Sequence, residues 1–309
     1  MPIDSLWIFE MERHKTDYQI KQILKYNRDG SPDKQSARHQ NLMRMTKELQ
    51  ERGYSKRWDI HKLSKKEVHK LVRDWRDKGL NHKTIANRMA DVRWLASKIG
   101  REAHIPSNRD VGIGLRKNAE NHGLNKAQRL TKDHLSKMDE RMQLVNQLKA
   151  EFGLRETEAL KFQHSVATSH TEGFIYLKYS WCKGGRERLI QVNTEAQKAI
   201  LSKVRDFQLK NNDKSMIPAG VKYKTYKNLV QAKSTEIGIK GHAFRHHWAQ
   251  QRFEQVSNGL KAPIAGGTPY AELTDEAKQH WDNAAKIVNS ELGHGQGRED
   301  ITATYIGQK

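Results

Sequence analysis

Four short patches of the sequence hold residue types suited to chemistry on a phosphate. The first is Gly153-Leu154-Arg155, with Glu158 three residues on. The second is Lys183-Gly184-Gly185, followed by Arg186 and Arg188. The third is His242 with Arg245 and His246, and the fourth is Leu292-Gly293-His294, with Tyr305 shortly after. A guanidinium keeps its charge and offers a planar fork to two phosphate oxygens. An ammonium can deliver a proton, and an imidazole can take or give one near neutrality. A phenol, with an ordinary pKa of about 10, attacks only with help from a base or a strong field. Each patch alone has a plain structural explanation. Arg155 and Glu158 fit an i,i+3 ion pair, Lys183 a solvated turn, and Tyr305 a packed helix. His242 and His246 have i,i+4 spacing, as in a metal pair, but no His-Glu-x-x-His pattern or cysteine set supplies the other ligands.

The rest of the chain points to a polyanionic partner. Its 309 residues carry 56 Lys and Arg against 36 Asp and Glu, for a net charge of +20 spread along the whole length. Such a field fits nucleic acid better than a merely soluble surface, which both signs would serve equally well. Only 36% of the residues are hydrophobic, but they cluster in periodic runs such as Leu144, Val145, Leu148 and Phe152, so a core is expected. No run is long and apolar enough to span a membrane, and the first residues lack a secretory pattern. The single cysteine, Cys182, rules out a disulfide framework and fits a reducing cytoplasm. No Gly-Lys dipeptide occurs, so a Walker A nucleotide site is absent.

The patches must be positioned by two units, mainly α with a small β-sheet. Residues 1–30 read as an N-terminal extension. A helical unit follows over 31–102, with helices over 33–52, from a Ser64/Glu67 capping box to Gly79, and from Asn81 to Gly100. Periodicity fades over 103–128, which reads as a linker. The unit over 129–309 has a helix over 133–150 and another from Arg155. A β-hairpin of 174–181 and 187–192 turns at Gly184-Gly185. Helices over 194–211, 223–237, 242–256 and 274–291 complete it.

In their order, the patches resemble the tyrosine recombinase (phage integrase) family. That family places an Arg in a Gly-Leu-Arg-x-x-Glu segment, a Lys on a β-hairpin, a His-x-x-Arg pair on a helix, a Leu-Gly-His segment, and then a Tyr. The resemblance covers 150–309, and by architecture the first unit resembles the family's core-binding (SAM-like) domain. It implies that Tyr305 attacks a DNA phosphate to give a 3′-phosphotyrosine and a free 5′-hydroxyl. Arg155 and Arg245 would grip the non-bridging oxygens, His242 would take the tyrosine proton, His294 would donate to the phosphate, and Lys183 would protonate the leaving oxygen. The ester keeps the bond energy, so no ATP, metal or cofactor is expected. The implied partners are double-stranded DNA, further copies of the chain (a tetramer on two duplexes), and accessory DNA-bending or directionality proteins. The alternatives are type IB topoisomerase-like relaxation and a DNA-binding protein that has lost catalysis. Two departures stand out. The interval from Arg245 to Leu292 is longer than the family usually shows, and residues 258–273 read as an inserted loop; the interval from His294 to Tyr305, with Gly295, Gly297 and Arg298 in it, is slightly long as well.

Overall fold

The computed structural model describes residues 15–55, 57–113, 124–295 and 297–309, and the chain divides into two units, Met1–Asn118 and Ala119–Lys309. Both are helical, and the second carries a two-stranded antiparallel sheet. Among the described residues no helix is long and apolar enough to cross a membrane.

Local capping sets the helix boundaries of the first unit. Ser31 accepts from the amide of Lys34 and Pro32 opens α2, Pro32–Glu51. Ser64 and Glu67 close a reciprocal capping box at the start of α3, Lys65–Asp77. Asn81 caps α4, His82–Lys98. Leu42, Met45, Leu71, Val72, Trp75, Met89 and Leu95 bury their side chains between these helices. Two buried polar groups are matched across helices. The Trp75 indole donates to Glu48 (2.7 Å), and Asp91 accepts from Lys34 (2.6 Å) and Asn41 (2.8 Å).

This unit is larger than the span 31–102 expected from sequence. A helix α1, Lys15–Tyr26, packs on α2 and buries Ile20 completely. Its Thr16 hydroxyl donates to the Trp58 carbonyl at 2.7 Å. The helix is short and its apolar residues are few, so its periodicity is faint in the sequence. At the other end Val111 and Ile113 are buried in the same core, although they lie in the expected linker. Residues 1–14 of the expected extension and 114–123 of the linker lie outside the described residues.

The second unit is built around α6, Glu140–Phe152, whose Val145, Leu148 and Phe152 are fully buried. The single helix expected over 133–150 is two, because Asp139 caps a fresh start by accepting from the Met142 amide at 2.8 Å. The short helix before it is α5, Lys132–Ser136. After α6 come α7, Glu156–Lys161, and α8, His164–Ala167. The hairpin pairs β1, Phe174–Leu177, with β2, Arg188–Gln191, in the register Phe174 to Gln191 and Leu177 to Arg188. Its strands are shorter than expected. Residues 179–181 turn inward so that Trp181 packs beside Phe162, with ring centroids 6.0 Å apart. Then follow α9, Glu195–Lys210; α10, Tyr223–Glu236; α11, Ala243–Val256; α12, Asp275–Glu291; and α13, Glu299–Ile306. Helix α6 packs on α9 and α11, and α13 packs on α11 and α12.

Ile20→Ala should therefore destabilise the first unit by roughly 2–5 kcal/mol, the usual cost of truncating a buried aliphatic side chain. Urea denaturation of the full chain followed by circular dichroism would show it. An unaltered transition would mean that α1 is a dispensable extension.

Candidate active site

Apart from Lys183, the patch residues gather where α6, α7, β2, α11, α12 and the C-terminal helix α13 meet, and a buried carboxylate organises them. Arg155 is not inside a helix. It precedes α7, and its amide and guanidinium both donate to Glu158, each at 2.8 Å. Glu158 has no exposed surface, and Arg188 grips it from the other side with two hydrogen bonds of 3.0 and 2.8 Å. Burial alone would raise the Glu158 pKa, but Arg188, then Arg155 and Arg245, hold it at about 2. The side chain of Arg155 keeps 18% of its surface exposed, whereas Arg188 keeps 4%. Arg155 can thus present charge to a ligand, whereas all three nitrogens of Arg188 are bonded to Glu158 or the Glu291 carbonyl, which makes it a structural cation.

Arg188 is the residue that sequence reasoning undervalued. Burial alternates along β2, with Arg188 and Ile190 facing in and Leu189 and Gln191 facing out. A charged residue at an inward position of a strand was the available signal. Its Nε also donates to the Glu291 carbonyl at 2.6 Å, which ties the hairpin to the end of α12. Glu291 in turn pairs with Arg252 through bonds of 2.8 and 2.9 Å.

Helix α11 delivers Arg245. Gly153 ends α6 in the left-handed region (φ 60°), and a β-carbon there would collide with the indole of Trp248 on α11. This close approach lets Arg245 donate to the Gly153 carbonyl at 2.5 Å and also to the Leu292 carbonyl. Arg245 is 1% exposed, and its Nε is buried without a partner. Burial, and then the charge of Arg155, lower its pKa to about 10, so it remains a cation at neutral pH. Its guanidinium lies 5.7 Å from the centroid of the Tyr305 ring.

Tyr305 sits near the end of α13 between two imidazoles. His246 stacks on it at 4.3 Å with a 25° tilt, and His294 lies at 5.5 Å. His246, whose i,i+4 spacing from His242 resembles a metal pair, is instead a second neighbour of Tyr305. Thr302 donates to Asn289 at 2.6 Å, so its oxygen accepts from Nδ1 of His294 at 3.1 Å. That fixes the proton on Nδ1 and leaves Nε2 as the acceptor of the neutral ring. Burial, and then Arg245, Arg155 and Arg188, hold His294 at about 3, and burial followed by Lys126 and His242 holds His246 at about 4. His242 precedes α11 and is exposed. Partial desolvation and the charges of Arg245, Arg155 and Lys149 push it below the usual imidazole value. Near neutral pH all three rings are uncharged.

Lys183 stands apart from this cluster. It is exposed in the turn Lys183–Gly185, where Gly184 (φ 72°) and Gly185 (φ 68°) are left-handed and face open space. The turn needs glycine for its backbone rather than for lack of room.

The described fold has solved counterparts. Over 96% of its length the chain superimposes on 96% of a lambda integrase fragment, solved as a dimer bound to a COC′ core site, with a TM-score of 0.56 and 14% identity. It matches XerH site-specific recombinase bound to difH in a pre-cleavage complex, covering 96% of this chain and 83% of that one, with a TM-score of 0.56 and 13% identity. The post-cleavage XerH complex matches over 94% and 80%, with a TM-score of 0.55 and 13% identity. Residues 13–105 match the phage integrase N-terminal domain family, a span that includes α1. No curated protein sequence matches the chain. The chain thus shares the fold of these solved recombinases, and its first unit matches the phage integrase N-terminal domain.

Glu158→Gln should leave Arg155 and Arg188 without their counter-charge. We expect a loss of about 3–5 kcal/mol in the stability of the second unit, as for a buried pair deprived of one partner. Chemical denaturation followed by tryptophan fluorescence would read it, and a change under 1 kcal/mol would rule out the carboxylate as the organiser.

Proposed function

We propose that the chain is a site-specific DNA recombinase or integrase that cuts and rejoins strands through a 3′-phosphotyrosine at Tyr305. The observation that carries this reading is the placement of Tyr305 against His294 and over the Arg245 guanidinium, whose Nε is buried with no partner. An orphaned cationic donor beside a nucleophile suits an incoming phosphate. The DNA-bound lambda integrase and XerH structures support duplex DNA as the partner.

In this mechanism Arg155 and Arg245 hold the two non-bridging oxygens. The Tyr305 oxygen bonds to phosphorus, its proton passes to His242, and the bond to the 5′ oxygen breaks. Lys183 moves in from its exposed turn and gives that oxygen a proton. His294 meets the phosphate with a lone pair on Nε2 and donates to it only after protonation there. The phosphate's charge offsets the arginines that keep the ring neutral and so favours that protonation. The reverse sequence reseals the strand, and the ester conserves the energy, so neither ATP nor a metal is needed. The first unit serves as the core-binding domain, further copies of the chain bring two duplexes together, and the reaction takes place in the cytoplasm.

The test is covalent trapping on nicked duplexes cut from the DNA flanking the protein's own gene. Wild-type protein should form an adduct that survives SDS, mapped by mass spectrometry to Tyr305. Tyr305→Phe should bind DNA equally well and form none. An adduct on Tyr223, Tyr226 or Tyr270, or none at all on any fragment, would sink the reading.

Lys183→Ala separates the acid from the phosphate clamp. It should slow cleavage by about 10² to 10⁴, the usual contribution of a general acid. A substrate with sulfur in place of the 5′-bridging oxygen needs no proton to leave. It should restore cleavage to Lys183→Ala but not to Arg155→Ala or Arg245→Ala. If sulfur leaves Lys183→Ala as slow as before, another residue is the acid.

A further inference from the structure

The Lys183 turn is exposed, yet both of its feet are fixed. On one side Cys182 is buried, with its sulfur 3.6 Å from the Leu177 carbonyl and 3.4 Å from Nη1 of Arg188. On the other side three consecutive residues are held by different parts of the fold. Arg188 binds Glu158 and the Glu291 carbonyl. Glu187 accepts from the Tyr176 hydroxyl of β1 at 2.6 Å. Arg186 lies against Gly295, where a β-carbon would be 3.2 Å from Cζ and 3.3 Å from each of Nη1 and Nη2. Lys183, Gly184 and Gly185 bridge the two feet, and the Gly185 amide donates to the Cys182 carbonyl at 3.2 Å.

The three nearly equal distances mean that the Arg186 guanidinium turns its flat face, not an edge, to Gly295. Unlike Gly184 and Gly185, Gly295 does not have a left-handed backbone. Its conformation would suit any residue, so the glycine there supplies room for that face. Arg188 makes a similar contact on Gly293, whose β-carbon would come 3.0 Å from Nη1. Two arginines two positions apart on the hairpin thus cover two glycines two positions apart, and His294 lies between those glycines. Arg188 pairs with Glu158, but among the described residues Arg186 has no ion-pair or hydrogen-bond partner. Fit over a bare peptide, rather than charge, sets its place.

We propose that Arg186 is a positioning residue for Lys183: lying flat on Gly295, it pins the second foot of the turn beside His294, so that the Lys183 ammonium needs only a short swing to the leaving 5′ oxygen. This rests on the cleavage reading above, in which Lys183 is the acid. Three residues of chain span at most roughly 11 Å even when extended. Fixing Arg186 therefore confines Lys183 to the neighbourhood of His294. A loose turn would have to be ordered anew for each reaction, at a cost in entropy. A direct bond from Arg186 to a DNA phosphate is a different role, because it would act without Lys183.

Single-turnover adduct formation by the full chain tests the pin, at saturating DNA on the nicked duplexes from the gene's flanks. Arg186→Ala removes the contact, and Gly295→Ala displaces the guanidinium while leaving its charge in the chain. Each should slow cleavage about 10- to 100-fold, the scale of a misplaced catalytic group. Sulfur at the 5′-bridging position should restore both, as it restores Lys183→Ala. A chain with both Lys183→Ala and Arg186→Ala should be no slower than Lys183→Ala alone, because residues that act as a unit are not additive. A double variant slower than Lys183→Ala would overturn the inference and make Arg186 a phosphate ligand. So would single variants that sulfur leaves slow while it restores Lys183→Ala. Sulfur that fails with Lys183→Ala itself would overturn the acid assignment and the inference with it. Hydrogen exchange without DNA judges the contact separately. The Gly185 and Glu187 amides, bonded to the Cys182 and Gly185 carbonyls at 3.2 Å, should exchange at least about 3-fold faster in Gly295→Ala. Unmoved exchange would overturn the pin even if wild type formed no adduct, an outcome that by itself counts against the cleavage reading.

Discussion

The Glu158 carboxylate is the interaction on which the site depends. It is fully buried, and that is tolerable only because Arg188 and Arg155 enclose it with four charge-assisted hydrogen bonds, one of them from the Arg155 backbone. Through these bonds a single anion joins the start of α7 to β2. Arg188 then carries the connection to the Glu291 carbonyl and so to the segment bearing His294. Gly293 lies against the same arginine, and a β-carbon there would come within 3.0 Å of it. Patches far apart in sequence are thus held in register by one ion cluster and by backbone too tight for side chains.

The charge balance of the site follows from this arrangement. Glu158 offsets part of the charge of Arg155, Arg188 and Arg245, and burial first, with the nearby positive charge second, keeps protons off the neighbouring imidazoles. His294 and His246 fall to about 3 and 4. Arg245 spends two of its nitrogens on the Gly153 and Leu292 carbonyls and keeps Nε unmatched. A site with excess fixed cations, neutral histidines and an unsatisfied donor is complementary in charge to an anion.

What could be read from the sequence was what short-range chemistry decides. The Ser64/Glu67 box and the Asn81 cap lie where they were expected, because a cap is a contact between residues three apart. The break at Asp139 was misread because the apolar spacing continues across it. Helix α1 was missed because it gains its stability from burying Ile20 against distant helices. The six candidate residues were legible as an ordered set, and the structure brings Arg155, Arg245, His294 and Tyr305 together, with His242 within their electrostatic reach. Arg188 and His246 were passed over because their importance is tertiary: one faces inward from a strand, and the other lies on a ring nearly sixty positions away.

The two carbonyls that hold Arg245 bear on which residues a change of function would erase first. That arginine braces the end of α6 against the segment before His294, and Glu158 and Arg188 brace the hairpin, so all three hold the fold whatever their part in chemistry. A descendant that had abandoned strand transfer but still needed its shape would keep them. Lys183, exposed in its turn, and the Tyr305 hydroxyl have no such second duty and would be the first to decay.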